Sequence, residues 1–345
     1  MAKGNGMKIG ILTAGGDCPG INAAIRGVGK TAIVKYGMRI LGISDGFTGL
    51  INKEYKELSE YDLSGILTLG GTILGTSREK PFKESGKKKH EIKKPDLIIE
   101  HYEQMGLDCL VCIGGNGTLK TANLLSQEGL NVIGIPKTID NDVWGTDLTF
   151  GFDSAVNIAV EAIDRLHSTA NSHKRIMIIE LMGHNAGWVA LYSGIAGGGD
   201  VILLPEIPYK EEKIAEYLLK RAESDKPYSI VVVAEGIKNP GKERHVAQYL
   251  SNRIYEITGL ETRETVLGYI QRGGTPSPMD RVLATRYGTA AADMIANKEF
   301  GKMVAMKNNN IVSVPLNDVA GKLKLVDADH PLIIQAQSMG TCFGN

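Results

Sequence analysis

The chain has no excess of charge of either sign. Its 345 residues carry 39 Lys and Arg against 39 Asp and Glu, so no global field draws it to nucleic acid or to an anionic membrane surface. Long apolar runs are missing too. Hydrophobic residues make up 43% of the chain, yet no stretch approaches the roughly 20 residues that a membrane span requires. There is no signal-peptide pattern, since "MAKGNG" before "MKIGILTAGG" is short and polar. Cysteine is sparse, at positions 18, 109, 112 and 342, which points away from a disulfide scaffold and toward a reducing, cytoplasmic setting. Cys109 and Cys112 form a CxxC in "DCLVCIGG", without a second ligand pair or a helix start beside it. Zinc or redox chemistry needs one or the other, so both read as buried strand cysteines. Internal repeats and low-complexity segments are also missing. These absences leave small molecules as the expected partners, with no nucleic acid and no membrane. The length suits two domains or one large α/β unit.

What the chain does have is a series of short apolar runs, each ending in glycine or polar residues: "KIGILT", "RILGIS", "CLVCIGG", "NVIGIP", "RIMIIELMG", "DVILLPE" and "SIVVVAEG". Continuous β-branched runs of this length read as strands buried on both faces, as in parallel sheets. Helical patterns lie between them. In the clearest, Val156, Ala159, Val160, Ile163 and Leu166 share one face after Asp153 and Ser154 as caps. The alternation predicts an α/β fold with ligands beyond the carboxyl ends of the strands. One stretch, 79–96, is charge-dense and has five lysines between 87 and 94. It reads as a solvated, mobile loop, with an anion-binding patch as the alternative.

The unusual residues gather at the predicted strand ends. "TAGGDCPGINAAIRG" places Gly15 and Gly16 between a strand and a helix, where backbone N–H groups can hold phosphate. "AIRGVGKT", 24–31, ends like a P-loop but lacks its first glycine and falls inside a helix, so it cannot aim its amides. "LGGTILGTSREK" brings Arg78 near a second glycine turn, and "CIGGNGTLK" is a third. In "GIPKTIDNDVWGT", Asp140 and Asp142 occupy alternate positions, and an extended backbone there would point both carboxylates one way. One could then act as a base while the other helps hold a metal, as phosphoryl transfer needs. Arg175 precedes a strand, and Met182, Gly183 and His184 follow it; Glu235 ends another strand. Arg263, Tyr269 and Arg272, in "ETRETVLGYIQRGG", could together hold a sugar phosphate.

Taken together, "LTAGGDCPGINAAIRG", "GGTILGTSR", "GGNGT", "PKTIDND", "DRLHSTANSHKR", "MGHNAG" and "LGYIQRGGTPSPMDR" resemble the phosphofructokinase family in order and spacing, from about residue 7 to at least 290. The resemblance implies two stacked Rossmann-like α/β domains with mostly parallel sheets and the active site in the interdomain cleft. The larger, donor-binding domain would take 1–152 and 270–315, and the smaller, sugar-phosphate domain 153–269 and 316–345. It implies phosphoryl transfer to the 1-hydroxyl of fructose 6-phosphate, in glycolysis. Asp140 would be the base and Asp142 its electrostatic partner near Mg²⁺. Thr138 and Ile139 would line the reacting end of the sugar. Gly15, Arg78, Gly115, Asn116, Gly117 and Thr118 would contact the donor, with Gly114 and Gly115 shaping the turn and Thr118 capping the next helix. Met182, Gly183, His184, Glu235 and Tyr269 would contact the sugar. Arg175, Arg263 and Arg272 would clamp its 6-phosphate, the first two from a neighbouring subunit. A homo-oligomer, tetramer or dimer, with shared active sites follows.

Three positions depart from the commonest family pattern. Asn116 stands where an aspartate usually helps hold magnesium, His184 where an arginine often stands, and Tyr269 where a histidine often stands. Donor choice rests on two residues. Gly117 resembles the ATP-users, since pyrophosphate-users carry an aspartate there; Lys137 is the pyrophosphate-type residue. A missing side chain leaves room for a nucleotide, whereas a lysine is tolerated by either donor, so Mg-ATP is the expected donor and pyrophosphate the alternative. Another sugar phosphate, such as sedoheptulose 7-phosphate, or a nucleoside, is the competing acceptor. A non-catalytic binding subunit is the competing class, and the intact Asp140, Asp142 and arginine set speaks against it.

Overall fold

A computed structural model describes residues 6–83, 93–224, 226 and 228–345. Most of the lysine-rich stretch, 84–92, lies outside the described residues. Along the chain come β1 (Lys8–Ala14), α1 (Ile21–Tyr36), β2 (Arg39–Ile43), α2 (Phe47–Asn52), β3 (Tyr55–Leu58), α3 (Lys94–Gln104), β4 (Cys109–Gly114), α4 (Asn116–Gln127) and β5 (Val132–Pro136). Then follow α5 (Phe152–His173), β6 (Ile176–Leu181), α6 (Trp188–Ala196), β7 (Val201–Leu203), α7 (Glu211–Glu223), β8 (Ser229–Ala234), α8 (Val246–Thr258) and β9 (Thr262–Val266). Last come α9 (Pro278–Ala296), β10 (Lys302–Lys307), β11 (Asn310–Pro315), α10 (Leu316–Val319) and α11 (Pro331–Ser338). Each apolar run named above is a strand. No helix among the described residues is long and apolar enough to cross a membrane.

The contacts divide the chain into two compact units. One holds residues up to Thr138, Val143–Asp153 and Arg272–Leu323; the other holds Ile139–Asp142, Ser154–Gln271 and Lys324–Asn345. The first unit is built on a seven-stranded sheet in the order β11-β10-β5-β4-β1-β2-β3, parallel except where β3 and β11 pair antiparallel at the edges. Its central strands β1, β4 and β5 are buried almost throughout. Beneath them lies a core of Leu12, Ile43, Phe47, Leu110, Leu119 and Leu316 among others. Cys109 and Cys112 lie fully buried on β4, and all four cysteines are free. Burial pushes the Cys18 thiol, in the turn after β1, up to about 12 and raises those of Cys109 and Cys112 as well, so none of the three is poised as a nucleophile.

The rejected P-loop stretch has a packing explanation. It lies inside α1, which crosses α9 so closely that a Cβ on Gly27 would come 2.9 Å from the Thr285 carbonyl oxygen. A Cβ on Gly288 would come 2.5 Å from that of Ala24. These glycines let two backbones touch.

The second unit carries a four-stranded, all-parallel sheet in the order β7-β8-β6-β9. Strands β6 and β8 are buried along their length, whereas β9 forms an edge with exposed residues. Helix α5 supplies Ala159 and Ile163 to the core and leaves Val160 and Leu166 half-buried. Its start differs from the expectation: Asp153 and Ser154 lie within the first turn rather than ahead of it. The C-terminal segment docks on the same sheet, with the Ile202 N–H donating to the Cys342 carbonyl at 2.9 Å and Phe343 buried.

Candidate active site

In the seven-stranded sheet, the chain runs outward from β1 to β2 on one side and from β4 to β5 on the other. The reversal falls between β1 and β4, whose register pairs Ala14 with Gly114. Ligands of open α/β sheets bind beyond the carboxyl ends of the strands at such a point. Here both carboxyl ends carry glycine turns. Gly15 has a φ of 85°, a conformation glycine adopts without cost. Its N–H donates to the Ser77 carbonyl at 2.9 Å, and Thr76 Oγ1 donates to the Gly15 carbonyl at 2.7 Å. The second glycine turn, with Arg78 exposed at its end, is thereby laid along the first.

Asn22 fixes this arrangement. The buried amide donates to the carbonyls of Leu69 and Gly70 at 3.1 and 3.2 Å and accepts from the Ile73 N–H at 2.9 Å. Sequence reading missed it, although it lies within a quoted motif. Lys137, 2% exposed, reaches back so that Nζ donates to the Gly16 carbonyl, and its own N–H donates to Gly114 at 3.0 Å. It therefore ties the first glycine turn to the third. Arg272 lies on the first turn too, Nη1 donating to the Asp17 carbonyl at 3.2 Å.

Helix α4 begins directly after Gly115, so Asn116, Gly117 and Thr118 form its first turn. The first-turn N–H groups of a helix have no partner within it and suit a phosphate. Thr118 does not cap this helix as expected. It sits in the third helical position, and its hydroxyl donates instead to the Ala14 carbonyl at 3.2 Å, joining β1 to the helix. A Cβ on Gly114 would strike Thr118 at 2.2 Å, whereas one on Gly117 would meet nothing within 4 Å. Gly114 is there for packing, and Gly117 borders open space.

The aspartates follow β5. Ile139–Asp142 belong to the second unit, with Asp140 8% and Asp142 5% exposed. They are not on the extended segment that the alternation predicted. The chain bends at Ile139 and Asp140, and Asn141 takes a φ of 50°. A residue in the left-handed region between them breaks the period-two logic. Thr138 stays with the first unit, its carbonyl accepting from Thr149 Oγ1 at 2.8 Å.

In the four-stranded sheet, the register pairs Leu181 with Ala234 and so sets Met182 beside Glu235. Glu235 Oε1 accepts from the N–H groups of Gly183 and His184 at 3.3 and 2.9 Å, holding a turn in which a Cβ on Gly183 would meet the Ala186 carbonyl at 2.7 Å. Gln271, fully buried, supports the same turn by accepting from the Met182 N–H at 2.8 Å. Met182, His184, Glu235, Arg244, His245 and Tyr269 line a pocket of about 700 Å³. His245 Nδ1 lies 3.0 Å from Glu180 Oε1, and Glu180 Oε2 accepts from the Ala247 N–H at the start of α8.

Two predicted clamp residues lie elsewhere in this unit. Arg175 precedes β6 and pairs with Glu261, holding the Glu261 carboxyl below its usual range. Arg263 pairs with Met177 in the register. Both are at the amino ends of strands whose carboxyl ends carry the pocket, roughly 20 Å away at 3.3 Å per residue. Within one chain, they do not join Met182 and Glu235.

This is an α/β architecture with glycine turns suited to phosphate in its first unit and a pocket lined by charged and polar side chains in its second. The phosphofructokinase family model matches residues 8–295. ATP-dependent 6-phosphofructokinase 3 of Bacteroides thetaiotaomicron is 62% identical over 98% of this chain and 100% of its own length. The ATP-dependent 6-phosphofructokinase of Spirochaeta thermophila is 59% identical, over 97% of both. Among solved structures, Pichia pastoris phosphofructokinase in the T-state matches with a TM-score of 0.83 and 34% identity, over 91% of this chain and 35% of that one. The chain belongs to the phosphofructokinase family.

Proposed function

We propose that this protein phosphorylates fructose 6-phosphate at the 1-hydroxyl, with Mg-ATP as donor, as a cytoplasmic enzyme of glycolysis. The observation that carries the reading is the near full-length identity to relatives named for that activity, joined to the open space at Gly117. In the first unit, the turns at Gly15 and Gly115–Thr118, with Arg78, bind the nucleotide phosphates. In the second unit, Met182, Gly183, His184, Glu235 and Tyr269 bind the sugar, with Ile139 at its reacting end; Thr138, of the first unit, is assigned to that end too.

Asp140 accepts the proton of the 1-hydroxyl as that oxygen bonds to the γ-phosphorus and the bond to the β-phosphate oxygen breaks. Such a transition state spreads charge over the equatorial oxygens, so fixed donors and cations carry most of the catalysis. Asp142 and Asn116 are the residues that would hold Mg²⁺. A carboxylate and an amide oxygen are donor types that suit a cation arriving with its nucleotide, because magnesium usually takes one or two carboxylates plus substrate phosphates. Among the described residues, no cluster of three His, Cys, Asp or Glu could hold a metal without it. When bound, the ion neutralises charge on the transferring phosphate.

Arg175, Arg263 and Arg272 clamp the 6-phosphate, since guanidinium forks bind a dianion in bidentate fashion. The first two come from a neighbouring copy in a homo-oligomer. Their place at the far ends of β6 and β9 supports this supply. The test is a coupled assay of both donors: fructose 1,6-bisphosphate forms rapidly with Mg-ATP and slowly with pyrophosphate, and Asp140→Ser loses nearly all turnover. Faster turnover with pyrophosphate would reverse the donor, and Lys137 on the first glycine turn would then be its cation. A higher kcat/KM for sedoheptulose 7-phosphate would replace the acceptor.

A further inference from the structure

We infer that Lys324, in the C-terminal segment, is a positioning residue that sets the conformation of the aspartate-bearing loop. The inference rests on the reading of Asp140 and Asp142 given above. Lys324 lies beyond the matched residues 8–295, and none of the motifs includes it.

Both partners in the contact are well placed for such a role. An antiparallel bridge between Val143 and Leu323 lays the two segments side by side in the first unit. In the second unit, the next residue of each segment continues the contact: the Lys324 N–H donates to the Asp142 carbonyl at 2.9 Å. The Lys324 ammonium donates to Asn141 Oδ1 at 3.0 Å. Asn141 is the residue between the two aspartates, 3% exposed and in the left-handed region. A non-glycine residue persists in that region only when its surroundings over-determine it, and a charge-assisted hydrogen bond to its side chain is one such constraint.

Lys324 is itself held. Its carbonyl accepts from Trp188 Nε1 at 2.8 Å, and its ammonium lies 5.4 Å from the centre of the Trp188 ring. His330 packs edge-on against the other part of this arrangement, 5.3 Å from the same ring. Two residues on, the Val326 N–H donates to Glu206 Oε1 at 3.0 Å, and that oxygen also accepts from Gly187 at 2.9 Å. The docked tail thus brings a cation to the Asn141 amide, and through that amide bears on the peptide units carrying both aspartates.

Displacing a reacting group by about 1 Å can cost about 100-fold in rate. Lys324→Met keeps the stem against Trp188 and removes the ammonium. It should lower kcat by about 10- to 100-fold and move KM for either substrate less than about threefold, because substrate contacts are untouched. Asn141→Gly keeps the left-handed backbone and removes the amide; it should lose a similar factor. In the double variant the losses should not add fully, since each variant removes the shared Lys324–Asn141 hydrogen bond. Propylammonium should restore part of the kcat of Lys324→Ala, and neutral propanol should not. An unchanged kcat in Lys324→Met, additive losses, or a rise in KM in place of the fall in kcat overturns the inference. If Lys324→Met fails to fold by circular dichroism, Asn141→Gly alone decides, and an unchanged kcat there overturns it. The wild type and Asp140→Ser separate the two levels. Turnover that depends on Asp140 but not on Lys324 ends this inference and leaves the proposed function standing.

Discussion

Under the proposed function, donor choice rests on single residues. Gly117 lies in the first turn of α4 with no atom within 4 Å of where its Cβ would be. An aspartate fits there sterically, so any effect of adding one would come through a ligand rather than through the fold. Gly117→Asp should raise KM for Mg-ATP about 100-fold or more, because like charges set face to face cost several kcal/mol. Pyrophosphate turnover and thermal midpoint should change little. Equal losses with both donors would show that the position does not read the nucleotide. At this scale the sequence was most informative where chemistry is local. Glycine turns, Met182–Gly183 and Glu235 announce themselves by type and by position after a strand. Asn22, Gln271 and Lys324 do not. Each acts through a partner 47 to 183 residues away, and a single sequence holds no record of who meets whom.

Among the secondary elements, legibility follows burial. The strands named in advance are buried almost throughout. Strands β3, β9 and β11 were missed because they are sheet edges with partly or largely exposed residues, where no continuous apolar run is required. Buried β10 was missed as well, because its short Met-Val-Ala-Met run is bounded by lysines and has a single β-branched residue. The helix-borne "GKT" was correctly read as no P-loop, but its glycines had no explanation until α9 was seen against α1. That contact makes a prediction with opposing terms. Alanine in place of a mid-helix glycine gains about 1 kcal/mol in propensity, while overpacking costs about 1–3 kcal/mol. At Gly288 the obstructing atoms are backbone, 2.5 and 2.7 Å away, and cannot swing aside. Gly288→Ala should therefore lower stability in urea unfolding. A stabilised variant would mean that the helices separate freely.

At the level of the whole molecule, the arginines proposed as a clamp are the informative feature. Arg175 and Arg263 sit at strand ends remote from Met182 and Glu235 of their own chain. Under the proposed function, each sugar site needs residues from two copies. Asp140→Ser and Arg263→Ala proteins, each nearly inactive alone, should regain activity when dissociated and reassembled together. If partner copies pair at random, about a quarter of the sites receive one intact set. No recovery, with mixed oligomers verified, would mean that Arg263 does not complete a neighbouring copy's site. Nothing in the motifs could have distinguished the two cases, because residue type and order are the same in both.

The interleaving of the two units also has a consequence during synthesis. Strand β10 lies next to β5 in the seven-stranded sheet, yet the whole span from Phe152 to Val266 of the other sheet and its helices is made between them. At about 5–20 residues per second, a ribosome takes roughly 10–30 s to travel from Pro136 to Lys302. For that interval the nascent chain carries the bare flank of β5, an apolar strand with unpaired amides and carbonyls. The first sheet to begin is thus the last to close, and the period of greatest exposure to chaperones and to self-association is set by the order of the chain.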